Sequence, residues 1–371
     1  MPRELIATAA RTPGFREYED PVLGPRQIRI RTEFASPKHG TELVGYRDDP
    51  AAGRPYDPVW GAVMPSAGGG ATFPRRLGNM ATGTVTEVGP DVARFRVGDR
   101  VFGHFPIRET QTVDEQHADA VPAGMSAETA ICLDPLVMAM AMRDVAIRLG
   151  DRVAVFGLGA IGLMAIQLAR LDGADSVIAV DPIRARREVA LRLGADTAVD
   201  PLADDGDAGL AIRRLTRRGD ENLPVPPEGT RIPGGYRERM TQASQLGVDV
   251  AVEVSGSATA LHHAVRSTRF GGTVCVLSFY GGGAADLRLG EEFHINQLTL
   301  VSARAESLPM RDYPAWDLAR LVDVSLRWLS DGRARANGIV TPIVPFEDSV
   351  DAYREIDEHP ERSIKLGIRF S

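Results

Sequence analysis

The sequence predicts an α/β protein of two domains, a β-rich one built from both ends of the chain and a doubly wound parallel sheet inserted between them. Three observations lead there. At 371 residues the chain exceeds one small core, since a domain usually spans roughly 100 to 200 residues. Its first part carries short Val-, Thr- and Ile-rich runs broken by Gly, Pro and Asp, as strands and turns do. From Ser126 onward near-continuous apolar strands alternate with helical segments, the pattern of a parallel sheet covered on both faces. The boundaries this suggests are 1–125 and 306–371 for the β-rich domain and 126–305 for the inserted one.

In chain order, Gln27 to Thr32 and Thr82 to Val88 read as strands, punctuated by Gly83, Gly89 and Gly98. Asp49 to Arg76 is a long Gly-, Pro- and Ala-rich segment carrying Tyr56 and Trp60, of a length that suits a binding loop or lid. Ser126 is an N-cap candidate for the helix that follows. The strands of the inserted sheet are read at Arg152 to Phe156, Ser176 to Val180, Thr197 to Val199, Val248 to Val254, Gly272 to Leu277 and Leu298 to Ser302. Gly219 to Tyr236 interrupts this alternation with a Pro/Gly-rich stretch. The tail offers a long helix, then Ile339 to Val344 and Lys365 to Phe370 as strands that return to the first domain.

Composition excludes several functions. The chain is 43% hydrophobic and 25% charged, an ordinary globular balance. A formal charge of −7 argues against nucleic-acid binding, which needs a basic face to displace counterions. The basic cluster Arg213, Arg214, Arg217 and Arg218 reads as a solvated helix end. No run approaches the ~20 apolar residues of a membrane span, and the N-terminus shows no signal-peptide layout, so a cytoplasmic protein is expected. Two cysteines, Cys132 and Cys275, cannot form a disulfide framework or a four-cysteine zinc knuckle, and buried free thiols are expected. His104, His117, His262, His263, His294 and His359 show no metal spacing, and Met138, Met140 and Met142 read as core.

The strongest functional signal is Gly157-Leu158-Gly159-Ala160-Ile161-Gly162, placed after a buried strand and before a helix, with Asp181 ending the next strand 19 residues beyond Gly162. This is the Rossmann-type dinucleotide fingerprint. Gly157 permits the tight turn, Gly159 lets the backbone approach a pyrophosphate, and Gly162 lets helix pack on strand. The helix N-terminus offers N–H groups and a positive dipole end to the phosphates. Asp181 can accept both ribose hydroxyls and would repel the extra phosphate of NADP, so NAD is the expected cofactor.

With this fingerprint, Val97-Gly98-Asp99-Arg100-Val101, Leu193-Gly194-Ala195-Asp196 and Phe270-Gly271-Gly272, the chain resembles the medium-chain dehydrogenase/reductase superfamily in its alcohol, sorbitol and threonine dehydrogenase-like branch. The resemblance implies a GroES-like catalytic domain beside the Rossmann domain and a homo-oligomer. It implies that Ser255-Gly256 and Ser278-Phe279 line the cofactor, that Ser302-Ala303 lies beside the nicotinamide carboxamide, and that Arg186 lies near the adenosine ribose.

Zinc-dependent members carry a Cys-Gly-Thr-Asp run, a Gly-His-Glu run and, in the sorbitol-dehydrogenase group, a Glu-Pro pair. Here His39-Gly40-Thr41-Glu42, Gly78-Asn79-Met80 and Asp134-Pro135 stand instead, and the proton-relay histidine falls on Val44. A catalytic zinc is disfavoured, because His39 and Asp134 would be its remaining ligands and Asn79 is a poor one. The proton of the alcohol must then go to a side chain. His39 is the first candidate, an imidazole titrating near neutrality, Thr41 matches the hydroxyl that members place against the substrate oxygen, and Lys38, Tyr46 and Asp134 are the weaker candidates. Lys38, Tyr46, Tyr56, Trp60 and Asn79 are the substrate-facing candidates.

The function expected is NAD-dependent oxidation of a secondary alcohol in a sugar, polyol or cyclitol, with a small-molecule alcohol or ketone as partner. Asp134-Pro135 and Glu291-Glu292-Phe293-His294 look more like the sorbitol-type than the ethanol-type members. A zinc-free double-bond or imine reductase and a catalytically inactive redox sensor are the alternatives.

Overall fold

The computed structural model describes residues 1–50, 54–64, 70–203, 206–217 and 246–371. Gly219 to Tyr236 lies outside them, as do parts of Asp49 to Arg76. The chain divides into two compact units, Met1–Asp134 with Val324–Ser371, and Pro135–Asp323.

In the first unit, strands β1 (Arg3–Ala9) and β2 (Thr12–Glu17) form an antiparallel pair, with Arg75–Arg76 added along β1. The main sheet is built on β3 (Gln27–Ser36), longer than its sequence signal, paired antiparallel with Met80–Val88, Thr110–Asp114 and Lys365–Arg369. Val340–Pro345 extends it beyond Lys365–Arg369, so the tail strands complete this sheet as the sequence predicts. Alternation on these strands buries Leu5, Ile28, Ile30, Val85, Leu366 and Ile368 in one core. Tyr46 and Tyr353 belong to it, ring centroids 5.0 Å apart. At the end of β3 the chain turns into helix α1 (His39–Tyr46).

Among the described residues of the second unit six strands lie parallel. In spatial order they are Thr197–Val199, Ser176–Val180, Arg152–Phe156, Val248–Glu253, Thr268–Val276 and Thr299–Ser302. Their apolar runs have no polar face because helices flank the sheet, and Val153, Val155, Val177, Ala251 and Val274 are fully buried. Ser126 caps the helical turn Ala127–Ala130, accepting the Thr129 N–H at 3.1 Å. Both cysteines are buried free thiols, each pushed up to about 12 by burial.

One member of the basic cluster departs from its expected role, while Arg214 is exposed in the last turn of its helix as expected. Arg213 is not a solvated helix end: its guanidinium donates to the carbonyls of Arg266, Leu246 and Thr268 at 2.7, 3.0 and 2.6 Å. Five rigid donors let one arginine satisfy several carbonyls. Arg218 lies outside the described residues. No helix among the described residues is long and apolar enough to cross a membrane.

Candidate functional site

The nucleotide elements meet because of strand register. Val180 pairs with Phe156, Phe156 with Glu253, Glu253 with Val276, and Val276 with Ser302, so five strand ends form one row across the sheet. The residues that follow this row, Gly157, Asp181, Ser255, Ser278 and Ala303, therefore share the carboxyl edge, where open α/β sheets bind ligands.

Gly157 sits at φ +90°, and a Cβ there would lie 2.7 Å from Cα of Ser255. Gly162 is held against the Gly157 carbonyl too closely for any side chain. A Cβ on Gly159 would meet no protein atom within 4 Å. Protein packing therefore demands glycine at 157 and 162, whereas the space beside Gly159 is open to a ligand. Leu158 is buried, and Ala160-Ile161 begin the helix Ala160–Leu171, so the loop presents its first helical turn at the same edge.

Asp181 is 3% exposed and braces the glycine turn. Its Oδ2 accepts the Leu158 N–H at 2.7 Å and its Oδ1 the Ile183 N–H at 2.8 Å, tying the glycine turn to the neighbouring strand. Arg186 Nη1 lies 3.8 Å from the same carboxylate. Gly256, at φ +75°, faces the Phe279 carbonyl and the Ser278 side chain, so Ser255-Gly256 and Ser278-Phe279 adjoin. Ala303 is buried and donates its N–H to the Val276 carbonyl at 2.9 Å. The sequence reading passed over Glu253. It is fully buried, its carboxylate accepting the Ser255 N–H at 2.7 Å and bonding the hydroxyls of Ser255 and Tyr280. Burial and this carboxylate hold the Tyr280 hydroxyl protonated. A lone acid ending an apolar strand before Ser-Gly was the available signal.

In the first unit, the end of β3, the start of α1, residues 78–80 and the start of the last strand converge. Asn79 donates its N–H to the Ser36 carbonyl at 3.0 Å. Ser36 Oγ donates to the Leu366 carbonyl at 2.7 Å, and Lys365 Nζ to the Pro37 carbonyl at 3.2 Å. Lys38 Nζ lies 3.0 Å from Oδ1 of Asp134, whose side chain is 3% exposed against 19% for the lysine. Glu42 gathers three donors, the Gly78 N–H at 2.6 Å, the Tyr353 hydroxyl at 2.7 Å and the Lys38 N–H at 3.0 Å. Burial nonetheless raises its pKa, and burial lowers that of Lys365. Lys365, Glu42 and Tyr353 were not singled out from sequence, and nothing local marks them.

Several anticipated site residues change meaning. His39 Nε2 accepts the Leu366 N–H at 3.0 Å, so protonating that nitrogen would cost a backbone hydrogen bond. Tyr46 is not substrate-facing: it is fully buried, its hydroxyl pushed up to about 12 by burial, because helical spacing turns it onto the core beside Tyr353. Thr41 is exposed in the first turn of α1, and Asn79 Nδ2 is buried without a hydrogen-bond partner. Tyr56 and Trp60, 62% and 76% exposed, stand on the hairpin of Tyr56–Asp57 and Ala62–Val63, where Asp57 Oδ1 accepts the N–H groups of Val59 and Trp60.

The three positions that the resemblance aligns with zinc ligands thus hold an imidazole committed to a peptide N–H, a carboxamide, and a carboxylate facing an ammonium. This donor set does not fit a dication, which takes three anionic or imidazole ligands at a catalytic centre. Among the described residues no group of three or more His, Cys, Asp or Glu side chains is placed to hold a metal ion.

The family described as alcohol dehydrogenase GroES-like domain matches residues 57–142, and that described as zinc-binding dehydrogenase matches residues 160–321. The chain is 36% identical over 378 residues to a D-guloside 3-dehydrogenase of Escherichia coli (strain K12), covering 99% of this chain and 100% of the relative. The solved 2R,3R-butanediol dehydrogenase of Bacillus subtilis superposes with a TM-score of 0.71 at 23% identity, covering 100% of this chain and 99% of the other. A Sinorhizobium meliloti structure bound to NADP superposes with a TM-score of 0.69 at 18% identity, covering 100% and 99%. A GroES-like domain, a Rossmann sheet and a full-length dehydrogenase relative together make the chain a member of the medium-chain dehydrogenase/reductase superfamily, an oxidoreductase acting on CH–OH groups.

Proposed function

We propose that this chain is an NAD-linked dehydrogenase that oxidises a secondary alcohol of a sugar, polyol or cyclitol without a catalytic zinc. The observation that carries the zinc-free reading is the Lys38–Asp134 ion pair, which sets an ammonium 3.0 Å from the carboxylate that a metal would need. A bound nicotinamide supplies the hydride acceptor. The chain holds it through the Gly159 opening, the N-terminus of Ala160–Leu171 and the carboxylate of Asp181. Full-length similarity to a D-guloside 3-dehydrogenase favours a ring hydroxyl of a glycoside as the reacting group.

The test is a panel of methyl glycosides, free sugars, polyols and cyclitols with NAD, read at the NADH absorbance band, beside metal analysis of protein purified without chelator. NADH from a glycoside or polyol by protein lacking zinc is the expected result. Near-stoichiometric zinc, with activity lost to chelator and regained on adding zinc, refutes the metal-free mechanism. NADPH-dependent reduction of a conjugated double bond without polyol oxidation replaces the substrate assignment.

A further inference from the structure

We propose that Glu253, acting through Ser255 and Tyr280, is the positioning residue for the second ribose of the dinucleotide, the one that carries the nicotinamide. The inference rests on the cofactor reading above and adds the device that shapes this half of the site.

The order of strands across the sheet is also the order of contacts along an extended dinucleotide. Asp181, expected at the adenosine ribose, follows Ser176–Val180, and the glycine turn, expected at the pyrophosphate, follows the neighbouring strand Arg152–Phe156. Ser302-Ala303, expected at the carboxamide, closes the outer strand Thr299–Ser302. Between them lie Val248–Glu253 and Thr268–Val276, which lead into Ser255-Gly256 and Ser278-Phe279. These two turns therefore take the stretch between pyrophosphate and carboxamide, which is the second ribose.

Ser255, Gly256 and Phe279 are exposed, so packing alone does not fix them, whereas Glu253 is fully buried. Its Oε1 accepts both the N–H of Ser255, at 2.7 Å, and the Ser255 hydroxyl, and its Oε2 accepts the Tyr280 hydroxyl. Ser255 Oγ in turn accepts the Ser257 N–H at 3.0 Å, and Ser257 caps the helix Ala258–Ser267 by accepting the Ala260 N–H at 3.3 Å. A hydroxyl has one proton to give, so Ser255 Oγ donates inward and offers a ligand no hydrogen. What this turn presents to the ribose is main chain, and Glu253 sets where that main chain stands. On its other side the turn meets the glycine loop, since a Cβ on Gly157 would lie 2.7 Å from N and Cα of Ser255. Tyr280, its ring packed against the core of the sheet, brings the second turn to the same carboxylate. One buried side chain thus joins residues 255–257 to residues 278–280 and keeps the former against Gly157.

The test measures Kd by calorimetry for ADP, ADP-ribose and NAD on the parent and on Glu253→Met, Glu253→Gln and Tyr280→Phe. ADP carries the adenosine and both phosphates, and ADP-ribose adds the second ribose without the nicotinamide. Glu253→Met removes the acceptor, and Kd for ADP-ribose and NAD should rise about 10- to 100-fold, as a lost buried hydrogen bond allows, with Kd for ADP within about threefold. Glu253→Gln should stay near the parent, because its amide oxygen keeps Ser255 while its NH2 donates to the Tyr280 oxygen. Tyr280→Phe retains the ring and removes one arm of the clamp. It should weaken ADP-ribose several-fold and spare ADP, and it carries the comparison if Glu253→Met does not fold. ADP-ribose affinity within about threefold of the parent in the folded members of this pair overturns the inference. A loss of ADP affinity equal to that of ADP-ribose also overturns it, since damage to the whole sheet edge, not placement of the second ribose, then explains the change. Both outcomes leave the cofactor reading standing. A parent that binds neither ADP-ribose nor NAD removes the reading and the inference together.

Discussion

His39 Nε2 accepts the backbone N–H of Leu366 at 3.0 Å, across 327 residues of sequence, and so joins the start of α1 to the last strand of the chain. The imidazole acts first as a clasp. His39→Ala should therefore cost about 1 to 3 kcal/mol of stability, the usual worth of a polar group left unsatisfied, with turnover reduced less than about 100-fold. Denaturant unfolding and steady-state kinetics on the same preparation check this. A loss of turnover above about 100-fold with unchanged stability would return the proton to His39.

The proposed function makes Asp181 and Arg186 the residues that set the choice between NAD and NADP. A phosphate within about 4 Å of a carboxylate meets roughly 1 to 4 kcal/mol of repulsion at effective dielectrics of 80 to 20, and an arginine at similar range offsets part of it. With Arg186 Nη1 3.8 Å from Asp181, NAD should be preferred and Arg186→Ala should widen the preference. Asp181→Asn should narrow it. Fluorescence titration of both cofactors decides, and an Arg186→Ala protein with an unchanged ratio would remove Arg186 from the ribose site.

The hairpin carrying Tyr56 and Trp60 exposes both rings, which leaves them open to contact with a substrate. If that contact is made, Trp60→Ala raises KM for the glycoside several-fold and leaves NAD affinity unchanged. Unchanged kinetics in Trp60→Ala would make the hairpin plain surface.

Lys365 ties stability to pH. Burial lowers its pKa from 10.5, so between the lowered value and 10.5 the unfolded chain binds more protons than the folded one. Stability contributed at this site therefore rises as pH climbs through that window and is smallest below it. Lys365→Met removes the titration. The parent-minus-variant difference in unfolding free energy should grow more favourable to the parent with rising pH, and a flat difference would mean that Lys365 stays charged in the fold.

What the sequence made legible follows sequence distance. The turn at 157–162 and Asp181 lie within one strand–helix–strand unit, so their spacing states their geometry. Lys365, Leu366 and Tyr353 reach Pro37, His39 and Glu42 only because the final strand pairs antiparallel with β3, and no period or spacing encodes that pairing. Tyr46 misled for the same reason, since its partner Tyr353 is also remote. The strand read at Gly272 to Leu277 begins earlier, at Thr268, because Thr268 pairs with Val248 before a register shift that two glycines had hidden. The division of the chain at Asp134 falls inside the apolar run Ile131 to Met142, where composition does not change.

The row of strand ends from Val180 to Ser302 has a consequence for how the second unit comes to bind anything. Its nucleotide edge draws on segments from Gly157 to Ala303, so no fragment of the unit owns it and a partly zipped sheet presents only a misaligned portion. Affinity should arrive in a single step, when the last strand docks. Ligand binding confined to the folded state shifts unfolding by RT ln(1 + [L]/Kd), which at a hundredfold excess over Kd is about 2.7 kcal/mol. That increment should be spread evenly over the hydrogen-exchange protection of all the central strands rather than concentrated at the glycine turn, making the dinucleotide a gauge of whether this half of the molecule has finished folding.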